Sequence, residues 1–294
     1  MQSSASIVIW MKLSEEDTNM TEYLGYKEVV PTDEELGVIY GKTPENIYGC
    51  AQNEYLILKD SDDNLIEAFQ CSDNQYVRVG YKTINSRFLG TVKARNIHQR
   101  LALDMLYRPD ITVKIITGKF GTGKDFLMCS SAIDMIESGK FDRIVYIRNN
   151  IEVKNSKPIG FLPGSYNEKL LPFAMPLADH LGGVDGLSIM VSSGKIDIVH
   201  LGFIRGRDIK NSIIICSEAE NMTKEHVQLL LGRVGEGSEL WLNGDFKQCD
   251  AEVFRTNSGL MTAVERLKGH PRFGYVNLQI TERSETAAMA DLLD

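Results

Sequence analysis

The sequence predicts an α/β fold: a parallel sheet flanked by helices, with a small β-rich unit ahead of it. Three observations carry that expectation. From Asn96 onward, β-branched apolar runs alternate with helical patterns. Those runs are continuous in Ile and Val, which marks strands buried on both faces of a sheet. Between residues 46 and 91, shorter alternating runs are broken by Asp and Asn clusters, the pattern of antiparallel strands joined by turns.

Taken in order, residues 1–45 read as polar and irregular, with an acidic helix-like piece at 14–20 and a turn at Pro31-Thr32. Strands are expected at 54–58, 64–70 and 75–79, a β unit of 46–91 too short to bury much alone. The third region, 92–294, carries strands at 113–117, 143–147, 196–201, 212–216, 239–242 and 275–280. A helix at 125–138 is closed by Gly139.

Bulk properties exclude several classes. With 43% hydrophobic and 24% charged residues among 294, the chain reads as a soluble globular protein. No apolar run approaches bilayer length, and residues 7–11 are too short for a signal peptide, so the expected location is cytoplasmic, with no membrane partner. The cysteines Cys50, Cys71, Cys129, Cys216 and Cys249 are scattered and odd in number, which argues against a disulfide framework or a zinc site. Five dispersed histidines show no metal-ligand pattern. A net charge of −8, from 32 basic and 40 acidic residues, argues against a broad nonspecific grip on nucleic acid but leaves room for a local basic groove.

The most specific signal is Gly118-Lys119-Phe120-Gly121-Thr122-Gly123-Lys124-Asp125, which fits the G-x-x-x-x-G-K part of a phosphate-binding loop. A buried strand precedes it and an amphipathic helix follows. Glycines let the backbone turn its N–H groups inward, the helix N-terminus adds partial positive charge, and Lys124 adds a full one. Gly118 to Phe126 are therefore the candidate nucleotide-binding residues, for ATP with Mg²⁺. Asp125 departs from the pattern, which places Ser or Thr there to ligate the metal.

A second acidic site follows the run 212–216. Ser217-Glu218-Ala219-Glu220-Asn221 has the form of a Walker B strand with its acidic pair, the first Asp replaced by Ser217. Glu218 is retained to orient or deprotonate the attacking water. The two departures compensate: a carboxylate is gained at 125 and lost at 217, while a hydroxyl moves the other way. Asp125 and Ser217 thus become candidate metal ligands, and independent decay of both positions is the rival reading.

Further candidates follow other strands. Gln248, in Asn243-Gly244-Asp245-Phe246-Lys247-Gln248, is set to sense the γ-phosphate or the attacking water. Arg205 and Arg207 flank Gly206 and suit phosphate, either of a nucleotide or of a nucleic-acid backbone. Arg283 follows the last strand and is a candidate to supply positive charge to the γ-phosphate from a neighbouring subunit. A salt-bridge role is open for each arginine. Gln99, in Asn96-Ile97-His98-Gln99, precedes the strand that leads into the loop by about a dozen residues, and its amide suits an adenine edge.

From about Val92 to the C-terminus the chain resembles the PhoH-like family, over some two thirds of its length. The resemblance rests on Asn96-x-x-Gln99, the phosphate loop, Arg148, Gly160-Phe161-Leu162-Pro163-Gly164 with Glu168-Lys169, and Pro172 with Pro176-Leu177. It continues through Arg205-Gly206-Arg207, Glu218-Ala219-Glu220-Asn221, Arg233-Val234-Gly235, Gly244-Asp245 with Gln248, and Ser258-Gly259-Leu260. It implies a RecA-like core similar to the first motor domain of superfamily 1 helicases, ATP hydrolysis, and often a homo-oligomeric ring, with a hexamer as the candidate size. By position it implies that Gln99 reads adenine, Lys124 holds phosphates, Glu218 activates water and Gln248 senses nucleotide. Glu220 stands where the family usually has Gln.

Residues 1–90 resemble the β linker that follows a PIN nuclease domain in longer relatives, with no acidic nuclease cluster before it. That layout suits a bacteriophage or bacterial member. Two functions follow: an ATP-driven motor on single-stranded RNA or DNA, with Arg148, Arg205, Arg207 and the 161–164 loop lining the nucleic-acid path, or a nucleotide-gated binding module with little turnover.

Overall fold

In a computed structural model the described residues are 23–148 and 174–282. The candidates Arg283 and the 161–164 loop lie outside them. Six parallel strands form the main sheet: β7 (Val113–Gly118), β8 (Arg143–Arg148), β9 (Ile196–His200), β10 (Ser212–Ser217), β11 (Glu239–Gly244) and β12 (Phe273–Leu278). Their order across the sheet is β12-β7-β11-β10-β8-β9. Alternate residues feed two cores, as strands buried on both faces require. Ile116, Tyr146 and Ile215 pack on one side with α2 (Ile97–Leu106), α3 (Lys124–Glu137) and α5 (Val184–Ser192). Ile115, Val145 and Ile214 pack on the other with α6 (Lys224–Leu231) and α8 (Gly259–Leu267). The short helix α4 (Met175–Asp179) adds Leu177 and Ala178 to the first core, and a second short helix, α7 (Glu252–Thr256), follows β11.

Upstream, β1 (Tyr26–Val29), β2 (Tyr55–Lys59), β3 (Leu65–Ser72) and β4 (Gln75–Arg78) form a four-stranded sheet. β2, β3 and β4 pair antiparallel, whereas β1 joins β2 in parallel. The segment expected to be irregular thus contributes a strand and a helix, α1 (Asp33–Ile39). Thr32 and Glu35 close a reciprocal capping box at its start, a signal present in the sequence but not used. Tyr55 and Ile57 of β2 enter the main core, while Leu56 and Leu58 join a separate cluster with Phe69 and Tyr76. A hairpin of β5 (Thr83–Ser86) and β6 (Gly90–Lys93) leads into α2.

The topology fixes where a ligand sits. β7 lies between β11 and β12, the chain continuing to one side of it and returning at the end to the other. In open α/β sheets, such a reversal opens a crevice at the carboxyl ends of the strands. No helix among the described residues is long and apolar enough to cross a membrane.

Candidate nucleotide site

The loop leaving β7 turns through three glycines with positive φ: Gly118 (+148°), Gly121 (+81°) and Gly123 (+91°). At Gly118 a Cβ would stand 2.4 Å from the Leu278 carbonyl oxygen, so only glycine fits. Thr122 is buried, its hydroxyl donating to the Lys119 carbonyl at 2.9 Å. Lys124 opens α3 and donates to the carbonyls of Gly118 (2.7 Å) and Lys119 (3.0 Å). Its ammonium is thereby held inside the turn. Lys119 and Phe120 are exposed at the apex, and Phe126 packs its ring edge-on against His180, centroids 5.4 Å apart.

Gln99, only 5% exposed, sits beneath this loop. Its Nε2 donates to the Thr122 carbonyl at 3.0 Å, and its Oε1 accepts from the Arg95 amide at 2.9 Å. Both amide functions brace the loop, and each keeps one further donor or acceptor position, an N–H on Nε2 and a lone pair on Oε1.

Strands β10 and β11 bring the acidic residues to the same end. The Ser217 hydroxyl donates to Asp125 Oδ1 at 2.8 Å, and Asn243 Nδ2 donates to the same oxygen at 2.9 Å. Residues 125 and 217, separated by 92 positions, therefore meet directly. Asn243 also accepts from the Glu218 amide at 3.4 Å. Sequence reading missed its role; the signal was an Asn directly after the apolar run Leu240-Trp241-Leu242.

Glu218 adopts φ +56°, the left-handed region, which for a non-glycine residue costs on the order of 1–3 kcal/mol. Its carboxylate is gripped by Arg148 at the end of β8: Nε donates to Oε2 at 3.1 Å and a terminal nitrogen to Oε1. The sequence reading set Arg148 on a nucleic-acid path; here its guanidinium pairs with the glutamate assigned to water activation.

Glu220 is 5% exposed, and burial pushes its carboxyl up to about 7. Its Oε2 accepts from the Asp245 amide at 3.2 Å. Burial also lowers the pKa of His180, which the sequence reading left without a role.

One cleft of about 410 Å³ gathers Phe120, Lys124, Asp125, Ser217, Glu218 and Gln248 with Glu220, Asn243 and His180. Arg205 and Arg207 do not line it. Arg207 pairs with Asp197 at 3.0 Å, the salt-bridge alternative, and Arg205 is exposed.

A phosphate loop between a central parallel strand and a helix, with an acidic strand end beside it, defines a P-loop nucleoside triphosphatase fold of the RecA-like type. Comparison with known proteins narrows this. Residues 91–291 match the family described as PhoH-like protein, so the chain belongs to that family. It is 34% identical over 288 residues to "Protein PhoH2" of Bacillus subtilis, covering 92% of this chain and 64% of that protein. It is 32% identical over 201 residues to "Protein PhoH2" of Mycolicibacterium smegmatis, covering 67% of this chain and 46% of that protein. The chain thus spans less than two thirds of the length of each. Among solved structures it is similar to the Pif1 helicase from Candida albicans, at 14% identity and a TM-score of 0.36, covering 69% of this chain and 44% of that one.

Proposed function

We propose that this cleft binds and hydrolyses ATP with Mg²⁺, and that turnover is coupled to remodelling of, or movement along, single-stranded RNA or DNA in a homo-oligomeric ring. The observation that carries the reading is the direct contact of Asp125 with Ser217 beside Lys124. One carboxylate and one hydroxyl converge at the end of the phosphate loop, the oxygen donor set that Mg²⁺ accepts.

Asp125 and Ser217 would hold the ion, whose chemistry is to neutralise charge on the β- and γ-phosphate oxygens. Lys124 exchanges its backbone carbonyls for phosphate oxygens, which are stronger acceptors because they are charged. A Glu218 carboxylate oxygen takes a proton from water as the water oxygen bonds to the γ-phosphorus. The bond from that phosphorus to the bridging oxygen breaks, leaving ADP and phosphate. Gln248 orients the water, and an arginine of a neighbouring subunit, with Arg283 as the candidate, completes the charge balance.

The Arg148–Glu218 pair favours a second reading, a nucleotide-gated binding module in which the glutamate stays neutralised and turnover is negligible. ATP turnover with and without Mg²⁺, single-stranded RNA and DNA separates the two. Loss of turnover in both Lys124→Ala and Glu218→Gln is the outcome expected of the enzyme. Equal, negligible turnover in the wild type and both variants, with ATP still bound by the wild type, selects the module.

A further inference from the structure

The chain is acidic as a whole, yet between Asp73 and Asp104 it contains no acidic residue and six basic ones: Arg78, Lys82, Arg87, Lys93, Arg95 and Arg100. The fold gathers four of these around one groove. Lys82, Lys93, Arg95 and Arg100 line a cavity of about 420 Å³ between the β5–β6 hairpin and the start of α2, with Tyr81 at its wall and no acidic residue in its lining.

Two of the basic residues are internally neutralised. Glu67 pairs with both Arg78 and Arg100. Arg100 is buried, and its guanidinium lies 3.7 Å from the Tyr81 ring centroid. That contact fixes one face of a tyrosine that is nonetheless 80% exposed. A ring held rigidly on one face and open on the other is a stacking platform prepared before any ligand arrives. Lys82, Lys93 and Arg95 are exposed, and among the described residues none of them has an acidic partner.

We propose that this groove binds single-stranded nucleic acid, with a base stacked on Tyr81 and the flanking phosphates held by Lys82, Lys93 and Arg95. The inference rests on the nucleic-acid coupling proposed above and assigns it a surface. Lys82 lies 4.1 Å from the Tyr107 ring centroid, but none of the three cations is neutralised by an acidic group among the described residues. The adenosine end of ATP carries no charge, and its phosphates belong at Lys124, so three cations without acidic partners call for a different polyanion. The floor of the groove is also wired to the phosphate loop. The Arg95 amide donates to Gln99 Oε1, and Gln99 Nε2 donates to the Thr122 carbonyl. In parallel, Asn96 Nδ2 donates to Glu282 Oε1 at 2.8 Å, and the Glu282 amide donates to the Gly121 carbonyl at 3.0 Å. A strand seated at Arg95 and Asn96 would therefore act on the loop through two short hydrogen-bond chains.

The test uses the full chain and a fluorescein-labelled single-stranded oligonucleotide of about 20 nucleotides, long enough to exceed a typical single site. Anisotropy is read across a salt titration. Tyr81→Ala is expected to weaken binding between about fivefold and a hundredfold, with Tyr81→Phe restoring it. The triple change Lys82→Glu, Lys93→Glu, Arg95→Glu is expected to weaken binding at least tenfold and to lower the slope of log affinity against log salt by about 2, three phosphates at roughly 0.7 each. Binding of a fluorescent ATP analogue and unstimulated ATP turnover, read in parallel, should stay at wild-type level. Oligonucleotide binding unaltered in Tyr81→Ala and in the triple variant overturns the proposal. So does a loss of ATP-analogue binding in Tyr81→Ala with oligonucleotide binding intact, which would make the groove a seat for the nucleotide base. If the oligonucleotide result holds while the wild type shows no turnover, the groove stands and the catalytic reading alone falls.

Discussion

Swapping the side chains at positions 125 and 217 tests whether the two hold one ion. Asp125→Ser leaves two hydroxyls and no carboxylate, and it removes the ionised acceptor of two hydrogen bonds, from Ser217 at 2.8 Å and Asn243 at 2.9 Å. Bonds to a charged group are each worth about 1.5–3 kcal/mol. Ser217→Asp does the opposite, setting a second carboxylate against the first. At about 4 Å and an effective dielectric of 20, that repulsion is about 4 kcal/mol until a cation or a proton relieves it. Each single change is expected to lower Mg²⁺-dependent turnover by about a hundredfold, the upper scale for disturbing an ion's supporting groups. The double swap restores one carboxylate and one hydroxyl. Contacting residues couple by up to about 3 kcal/mol, so the double variant should exceed the product of the singles by roughly 30- to 150-fold.

The assay is phosphate release against Mg²⁺ concentration for all four proteins, with melting temperatures in chelator alongside. Ser217→Asp should be the least stable without metal and gain most from adding it. A double variant no faster than the product of its singles would refute a shared ion, and the two departures would then be independent losses.

Three further outcomes follow from the same geometry. Arg148→Ala frees Glu218 from its bidentate partner, and a part-exposed pair worth about 1 kcal/mol predicts a roughly fivefold rise in unstimulated turnover; a fall in kcat at constant KM would instead make Arg148 a positioning residue. Lys114 is fully buried and donates to Glu239 at 2.5 Å. Lys114→Met leaves that carboxylate without its cation and should cost about 3–5 kcal/mol in denaturant unfolding, much of it recovered by adding Glu239→Gln, which keeps an acceptor for the Trp241 indole N–H. Finally, Glu220 is raised from 4.5 to about 7 by burial, so the folded state binds its proton more tightly. Its stabilisation is complete below about pH 4.5 and is lost as pH rises through 7, at most about 3 kcal/mol, and Glu220→Gln should flatten that slope in melting scans between pH 5 and 8.

The sheet was legible because burial on both faces forces unbroken apolar runs, and residues such as Ile213, Ile214 and Ile215 admit no other reading. The phosphate loop was legible because its backbone needs glycine at fixed spacing. Neither the β1 pairing nor the partners of Gln99 could be read that way. Parallel pairing of Tyr26 with Tyr55 joins segments separated by α1 and a long connection, and no local pattern encodes it. Gln99 and Arg148 carried the right residue types, yet their partners Thr122 and Glu218 are set by how α2 and β8 dock. Asn243 gained its role in the same way: an Asn near the end of a strand acquires meaning only when α3 delivers Asp125 and the end of β10 delivers Glu218 to it.

The three departures from the family pattern belong to one environment. Asp125 and Ser217 touch, so a carboxylate and a hydroxyl remain side by side although each has changed position. Glu220 stands where the resemblance to the family implies Gln, and its carboxyl lines the same cleft as Glu218. Burial raises the Glu220 pKa to about 7, and a protonated carboxyl offers one donor and one acceptor, the same hydrogen-bonding pair an amide presents. Decay would predict departures scattered without regard to each other's chemistry. Here the first two keep one carboxylate and one hydroxyl in contact, and the third carries a raised pKa, all within the cleft that also holds Lys124 and Glu218. That clustering is what a shared ion at positions 125 and 217 would produce, and the double swap tests it against independent loss.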